Sequence, residues 1–433
     1  MSNVTPPGEA LRLSSRVLPS FVTQRLPLLR DYASAISGSA GRLVFSLAYF
    51  VALANTLSIS DFGLFATASA AGVMLSRIVA LGFISALYRI ATVRPRLLGT
   101  FAAGFLTMSV VSLPLLVAAA ALTYAVFFKG ELAFWVFAVV VASECLLWRP
   151  VEAVVIVNNG LGRFGRAAVL VIIGTLLRAA AAVAFMLWAS HDLGEWTWFY
   201  AAANAVALVI AVAIYWPTQR LRFRHRLYWR RLPDSLYVAG AEVLFYLQME
   251  MDKLLVLALG GPRLAGIYAI IMRLVDLTAI PVRTFTMMLV QRLMKSPEML
   301  AGIGRRAAIE AAVFAVSTAG LLALACALYV FPTLLGGNVA EAAPFVALAL
   351  CIPGLRNLVE YQAELLFARG QTGVRAINLA LIGALKALLL TMVLVRTVEP
   401  EQLLLALNGV FAALYAASAV LTYMAMRMPA RSV

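Results

Sequence analysis

The chain has 433 residues, 63% of them hydrophobic and only 13% charged, with a formal net charge of +15 and a mean hydropathy of +0.93. Soluble globular chains carry about 25% charged residues, so a string of soluble domains is excluded. Apolar runs long enough to cross a hydrocarbon core of ~30 Å recur from end to end, and the chain reads as an all-α polytopic membrane protein.

Residues 1–38 set Arg12, Arg16 and Arg25 among Leu, Val and Phe. They read as a cytoplasmic amphipathic segment, without the short apolar core and small-residue cleavage site of a signal peptide. Six apolar stretches follow, at 39–57, 62–88, 99–128, 132–157, 167–189 and 196–216. A basic linker, 217–233, lies within PTQRLRFRHRLYWRRLPD and reads as a cytoplasmic hinge lying along the membrane. Six more stretches occupy 234–259, 264–291, 307–335, 342–367, 374–395 and 402–426, and residues 428–433 form a tail. Twelve transmembrane helices are expected, because helices satisfy their backbone groups internally in lipid. The bundles would span 39–216 and 234–427.

The distribution of Arg and Lys sets the orientation. With a cytoplasmic N-terminus, cytoplasmic segments hold 23 of them, whereas external loops hold only Lys129, Arg263 and Arg396. Both termini are then cytoplasmic. The excess positive charge is topogenic and meets anionic lipid, so nucleic acid is not expected as a partner. Cys145, Cys326 and Cys351 all fall within spans, with no metal-ligand spacing; no metal or other cofactor is expected.

A repeat emerges at a constant offset of 208 residues. VEAVVIVNNGLGRFGRAA and VEYQAELLFARGQTGVRA superpose without a gap, bringing Glu152 onto Glu360, Gly162 onto Gly370, Gly165 onto Gly373 and Arg178 onto Lys386. SDFGLFA after the first span is matched by RLAGIYA after the seventh. An even number of helices per half gives the halves one orientation, a 6+6 pseudo-repeat with a substrate path between the bundles.

Charges inside the spans locate that path. Arg42, Arg77, Arg149, Arg178, Lys253, Arg273, Arg283, Arg356 and Lys386 lie in or at the edges of spans with Glu144, Glu152, Glu242, Glu250, Asp252, Asp276, Glu360 and Glu364. A charge at mid-bilayer costs at least ~2.5–3.5 kcal/mol, so these groups pair or face water. Arg149/Glu152 and Arg356/Glu360/Glu364 are spaced to pair within one helix. Glu242, Tyr246, Glu250 and Lys253 share one stripe. Arg178 and Lys386 have no acid within four residues, and Arg77 looks similarly isolated. Arg42 and Arg149 can instead snorkel towards the surface. A central cavity with cations from both halves suits an anionic head group. Pro114, Pro150, Pro281 and Pro353 are candidate kinks and hinges.

The stretch LSISDFGLFATASAAGVMLSRIVALGFISALYR (Leu57 to Arg89), together with MDKLLVLALGGPRLAGIYAIIMRL (Met251 to Leu274) and the 6+6 plan, resembles the Wzx-type polysaccharide (O-antigen and exopolysaccharide) flippases. These belong to the multidrug/oligosaccharidyl-lipid/polysaccharide (MOP) exporter superfamily. The resemblance implies a MATE-like fold in the bacterial inner membrane. It implies movement of undecaprenyl-diphosphate-linked oligosaccharide from the cytoplasmic to the periplasmic leaflet by alternating access. Membrane lipids, a polysaccharide polymerase and export machinery are the implied partners. On that reading Arg77, Arg178, Arg273, Arg283 and Lys386 hold the anionic head group. Glu250, Asp252, Lys253, Asp276 and Glu360 serve as ion-coupling or structural pairs, with H⁺ or Na⁺ as the coupling ion. The chain lacks the two additional helices of the lipid II flippases.

A multidrug/cation antiporter of the same fold is the competing function, since eight intramembrane acids are available. A polysaccharide-assembly enzyme, polymerase or transferase, fits less well. The external loops are short, and no Walker loop, nucleophile elbow or zinc signature is present. GLGRFG (Gly160 to Gly165) has dinucleotide-loop spacing but joins two helices, where that fingerprint needs a preceding strand.

Overall fold

A computed structural model describes residues 26–188, 191–295, 302–397 and 399–427, and among these there is no strand. Residues 1–25 and the tail at 428–433, for which a segment and a tail were expected, lie outside the described residues. Twelve helical segments of membrane length follow one another. The first half comprises α1 (Leu26–Thr56), α2 (Ile59–Val93), α3 (Pro95–Phe127), α4 (134–160), α5 (Phe164–Trp188) and α6 (Leu193–Tyr215). The second comprises α7 (225–260), α8 (262–295), α9 (Ile303–Val330), α10 (337–368), α11 (Thr372–Arg396) and α12 (Pro400–Met426).

Local chemistry sets the ends. Ser58 caps α2: its hydroxyl accepts from the Asp61 N–H at 3.1 Å and donates to the Asp61 carboxylate at 2.6 Å. Asp192 caps α6 by accepting from the backbone of Gly194 and Glu195. Between α7 and α8 the only interruption is Gly261, at φ 77° and ψ 175°. The chain reverses there. Tyr268 donates its hydroxyl to Asp252 at 2.5 Å, whereas sixteen residues of straight helix span about 24 Å. Glycine makes the reversal feasible because a side chain disfavours positive φ.

Proline does not predict the breaks well. Pro114 lies inside an uninterrupted α3. The largest departure within the first half is at Val79–Gly82 of α2, where no proline occurs, and Ala80 and Leu81 take left-handed dihedrals. Ser112 of α3 accepts from the Ala80 N–H freed by the unwinding, at 3.2 Å. In the second half α10 bends by 64° just before Pro353, which the proline pattern anticipated. In α4 a wide turn over Ser143–Trp148 precedes Pro150.

The linker also differs from its expected form. Residues 217–224 are non-helical, and α7 begins at His225, within the segment assigned to the linker. This stretch is fastened to the start of α3. Gln219 accepts from the Gly99 N–H and donates to the Pro95 carbonyl, and Arg222 donates its N–H to the Gly99 carbonyl. Any side chain at Gly99 would meet the Arg220 carbonyl. Tyr228, fully buried, anchors α7 with its hydroxyl 2.9 Å from the Thr100 carbonyl.

At the opposite end the halves meet through backbone and amides. Gly63 of α2 lies against Gly266 and Pro262 of α8, with no room for a Cβ on either glycine. Asn338 of α10 donates to the carbonyls of Ala54 (2.8 Å) and Leu57 (2.7 Å), and Asn55 donates to the Leu335 carbonyl at 2.7 Å. Together they close that end.

Candidate functional site: a charged cavity between the bundles

A cavity of about 340 Å³ lies between the halves. Arg42, Ser46 and Tyr49 of α1 and Phe62, Phe65 and Ser69 of α2 form part of its wall. Glu144 and Trp148 of α4, Arg178 of α5 and Tyr200 of α6 add to the first half's polar and aromatic surface. The second half supplies Glu250 and Lys253 from α7 and Arg273 and Asp276 from α8. Both bundles thus present cations to one space.

Arg178 is held by its neighbours from several directions. Its Nε donates to Asn204 Oδ1 at 2.9 Å, and its guanidinium carbon lies 4.0 Å from the Trp148 ring centroid. Glu144 Oε2 is 3.6 Å from Arg178 Nη2, beyond good hydrogen-bond geometry. The Glu144 carboxylate also accepts from Ser69 and from the Tyr200 hydroxyl. The Arg178–Glu144 pair is thus a long one, and Arg178 Nη2 is left without a hydrogen-bond partner. Arg273 donates to Ser46 Oγ at 2.5 Å, across the boundary between the halves. Among the described residues no carboxylate lies within ion-pair distance of it.

The remaining expected site residues divide. Lys253 pairs with Glu250 three residues earlier, on the cavity wall. Asp276 faces the cavity and pairs with Arg356 at 3.2 Å; Arg356 also lies 3.8 Å from Glu360. The Arg283 side chain lies outside the described residues. Arg77 and Lys386 do not line the cavity, and the expectation that they stand there as free cations is corrected. Arg77 makes a two-pronged contact with Glu152, at 3.0 and 3.2 Å, beneath the Tyr246 ring. Lys386 lies 3.0 Å from Asp252 and donates to the Gln248 carbonyl at 2.9 Å. Burial gives the physical reason: both cations are about 5% exposed, and such a charge survives only when paired.

These pairs form two structural networks. Arg149 bridges Glu152 and Glu242, each at 2.8 Å, tying α4 to α7 across the halves. Asp252, Lys386 and Tyr268 tie α7, α11 and α8 within the second half. Glu360, like Glu152, meets an arginine one turn earlier on its own helix, although the 208-residue offset sets Arg149 on Asn357 rather than on Arg356.

Several wall residues were not singled out by the sequence. Trp148, Tyr200 and Tyr49 look like ordinary core aromatics. Asn204, a lone amide in the apolar run AAANAVALVI, carried the one usable signal.

No family model and no curated protein matches the sequence. Solved structures do match. The lipid II flippase MurJ in an inward closed conformation aligns with TM-score 0.59 and 10% identity, over 91% of this chain and 88% of its own. A MATE protein in complex with MaL6 aligns with TM-score 0.57 and 13% identity, over 90% and 93%. A MOP superfamily transporter from Pyrococcus furiosus aligns with TM-score 0.52 and 14% identity, over 89% and 91%. The chain therefore has the fold of the MOP-superfamily transporters: twelve helices in two six-helix bundles around a central cavity.

Proposed function

We propose that the protein is a transporter of the flippase type, carrying an undecaprenyl-diphosphate-linked oligosaccharide from the cytoplasmic to the periplasmic leaflet. The observation that carries this reading is the cavity's cation set. Arg178 and Arg273 face one space from opposite halves, the first loosely paired with Glu144 and the second bonded to a serine. A diphosphate and its sugars cannot enter hydrocarbon, whereas the polyprenyl chain can remain in it. The protein need only shelter the head group, with Arg178 and Arg273 donating to phosphate oxygens and Trp148 and Tyr49 offering faces for sugar rings. The end bearing Arg89, Arg94, Arg96 and the linker arginines is cytoplasmic, by the positive-inside bias. An inside-negative potential then favours outward movement of the anion by ~2.3 kcal/mol per charge per 100 mV. Glu250 with Lys253, and Asp276 with Arg356, are the pairs that H⁺ or Na⁺ would open in a coupled return step.

A cation antiporter is the second reading. The observation favouring it is Glu144, a buried carboxylate on the cavity wall held by a tyrosine and a serine. Reconstitution separates the two. In vesicles containing a fluorophore-labelled undecaprenyl-diphosphate oligosaccharide, the wild type is expected to expose inner-leaflet label to an impermeant quencher. The Arg273→Ala variant should do so at least tenfold more slowly. Unmoved label together with proton-driven export of a cationic dye overturns the flippase reading.

A further inference from the structure

At the basic end, a second cavity of about 520 Å³ runs between the last turns of α2 and the first turns of α7. Three guanidinium groups line it: Arg89 from α2, Arg94 just past its end and Arg231 from α7. Arg231 has a loose, exposed contact with Asp234, at 3.5 Å. Among the described residues Arg89 and Arg94 have no carboxylate within ion-pair distance. Ser85, Asp234 and Ser235 complete the polar part of the wall, and Ala86, Ile90, Val93, Phe101 and Val238 form its apolar part. Beside it, Tyr88, Val93, Leu97 and Tyr237 expose large apolar surface, Tyr237 at 84%. Exposed aromatic and aliphatic side chains next to arginines at a helix end mark the lipid interface.

We infer that this groove binds the headgroup phosphate of an anionic phospholipid, with Arg89, Arg94 and Arg231 around the phosphate and an acyl chain along Ile90, Val93 and Val238. Charge complementarity selects the occupant. Three cations against one carboxylate suit a phosphodiester anion, and the apolar wall continues from them where a lipid carries its chains. A soluble phosphate would leave that wall uncovered. Because α2 belongs to the first half and α7 to the second, the lipid lies across the seam between the bundles. Binding there favours the arrangement in which the seam is closed, by the difference in affinity between the two states. This holds whichever solute passes through the central cavity.

The test uses the full chain in detergent, with dioleoyl-phosphatidylglycerol and dioleoyl-phosphatidylcholine as probes and native mass spectrometry as the readout. The wild type is expected to retain phosphatidylglycerol at least tenfold more tightly than phosphatidylcholine. The combined R89Q, R94Q and R231Q variant should lose that preference, and the single Arg94→Gln should show an intermediate loss if the triple variant melts early. A control carrying R163Q, R305Q and R427Q, exposed arginines expected at the same membrane end, should keep it. Equal loss in the control would show diffuse surface charge and overturn the site. So would the absence of any preference in the wild type, or competition by glycerol phosphate at the same concentration as the lipid.

Discussion

Replacing Lys386 by methionine distinguishes a structural cation from one that holds substrate. Lys386 Nζ and Asp252 Oδ2 are 3.0 Å apart, with side chains 6% and 2% exposed. At an effective dielectric of ~20 that separation corresponds to about 5 kcal/mol of attraction. Without Lys386, Asp252 keeps only the Tyr268 hydroxyl, since its Oδ1 already has no hydrogen-bond partner. An orphaned buried charge costs ~3–5 kcal/mol. Lys386→Met should therefore lower the unfolding free energy in mixed micelles by ~3–4 kcal/mol at pH 7. Adding Asp252→Asn removes the orphaned charge and should restore most of the loss. A Lys386→Met protein that unfolds like the wild type but no longer transports would refute the structural assignment and return Lys386 to the substrate site.

Three further outcomes follow from the same geometry. Arg273→Ala removes one charge-assisted bond to an anionic substrate, worth ~1.5–3 kcal/mol, so transport should fall ~10–100-fold with unfolding free energy changed by less than about 1 kcal/mol; equal transport removes Arg273 from the path. Asn338→Ala deletes two hydrogen bonds to α1 and its following turn, each worth ~1 kcal/mol. Spin labels or cysteine probes at that end should report an open population raised ~10–30-fold, and unchanged accessibility would contradict the seal. Ser112→Ala leaves the Ala80 N–H without its acceptor, a loss of ~1–3 kcal/mol that thermal unfolding should register, whereas Ser109→Ala on the same helix should be nearly neutral.

What the sequence could reveal depended on the range of each interaction. Helix number and the 6+6 plan are written in hydropathy, a local property, and so is pairing along one helix, as in Arg149/Glu152 and Glu250/Lys253. Partners on other helices are not. Arg77 meets Glu152 from 75 residues away and Lys386 meets Asp252 from across the second bundle, so both looked unpaired in a single-helix reading. Glu364, grouped with Arg356 by spacing, instead meets Arg375 at 2.6 Å, because the turn after α10 brings α11 back against it. The break at Val79–Gly82 was hidden for a related reason: its compensating hydroxyl, Ser112, sits on a different helix. Arg178 and Arg273, named from the sequence, line the cavity, but their holding groups, Asn204, Trp148 and Ser46, were not visible in it.

The two latches between the bundles differ in kind. One is ionic, with Arg149 joining Glu242 across the seam and Arg77 stacked on Tyr246; the other consists of glycine backbones and asparagine amides. With Arg149 and Arg77 buried, bulk salt screens the first little; losing one of its carboxylates would loosen it and leave the second nearly untouched. A substitution at Glu242 would thus act as a one-sided bias between the two ends, loosening a single mouth of the protein while the other keeps its grip.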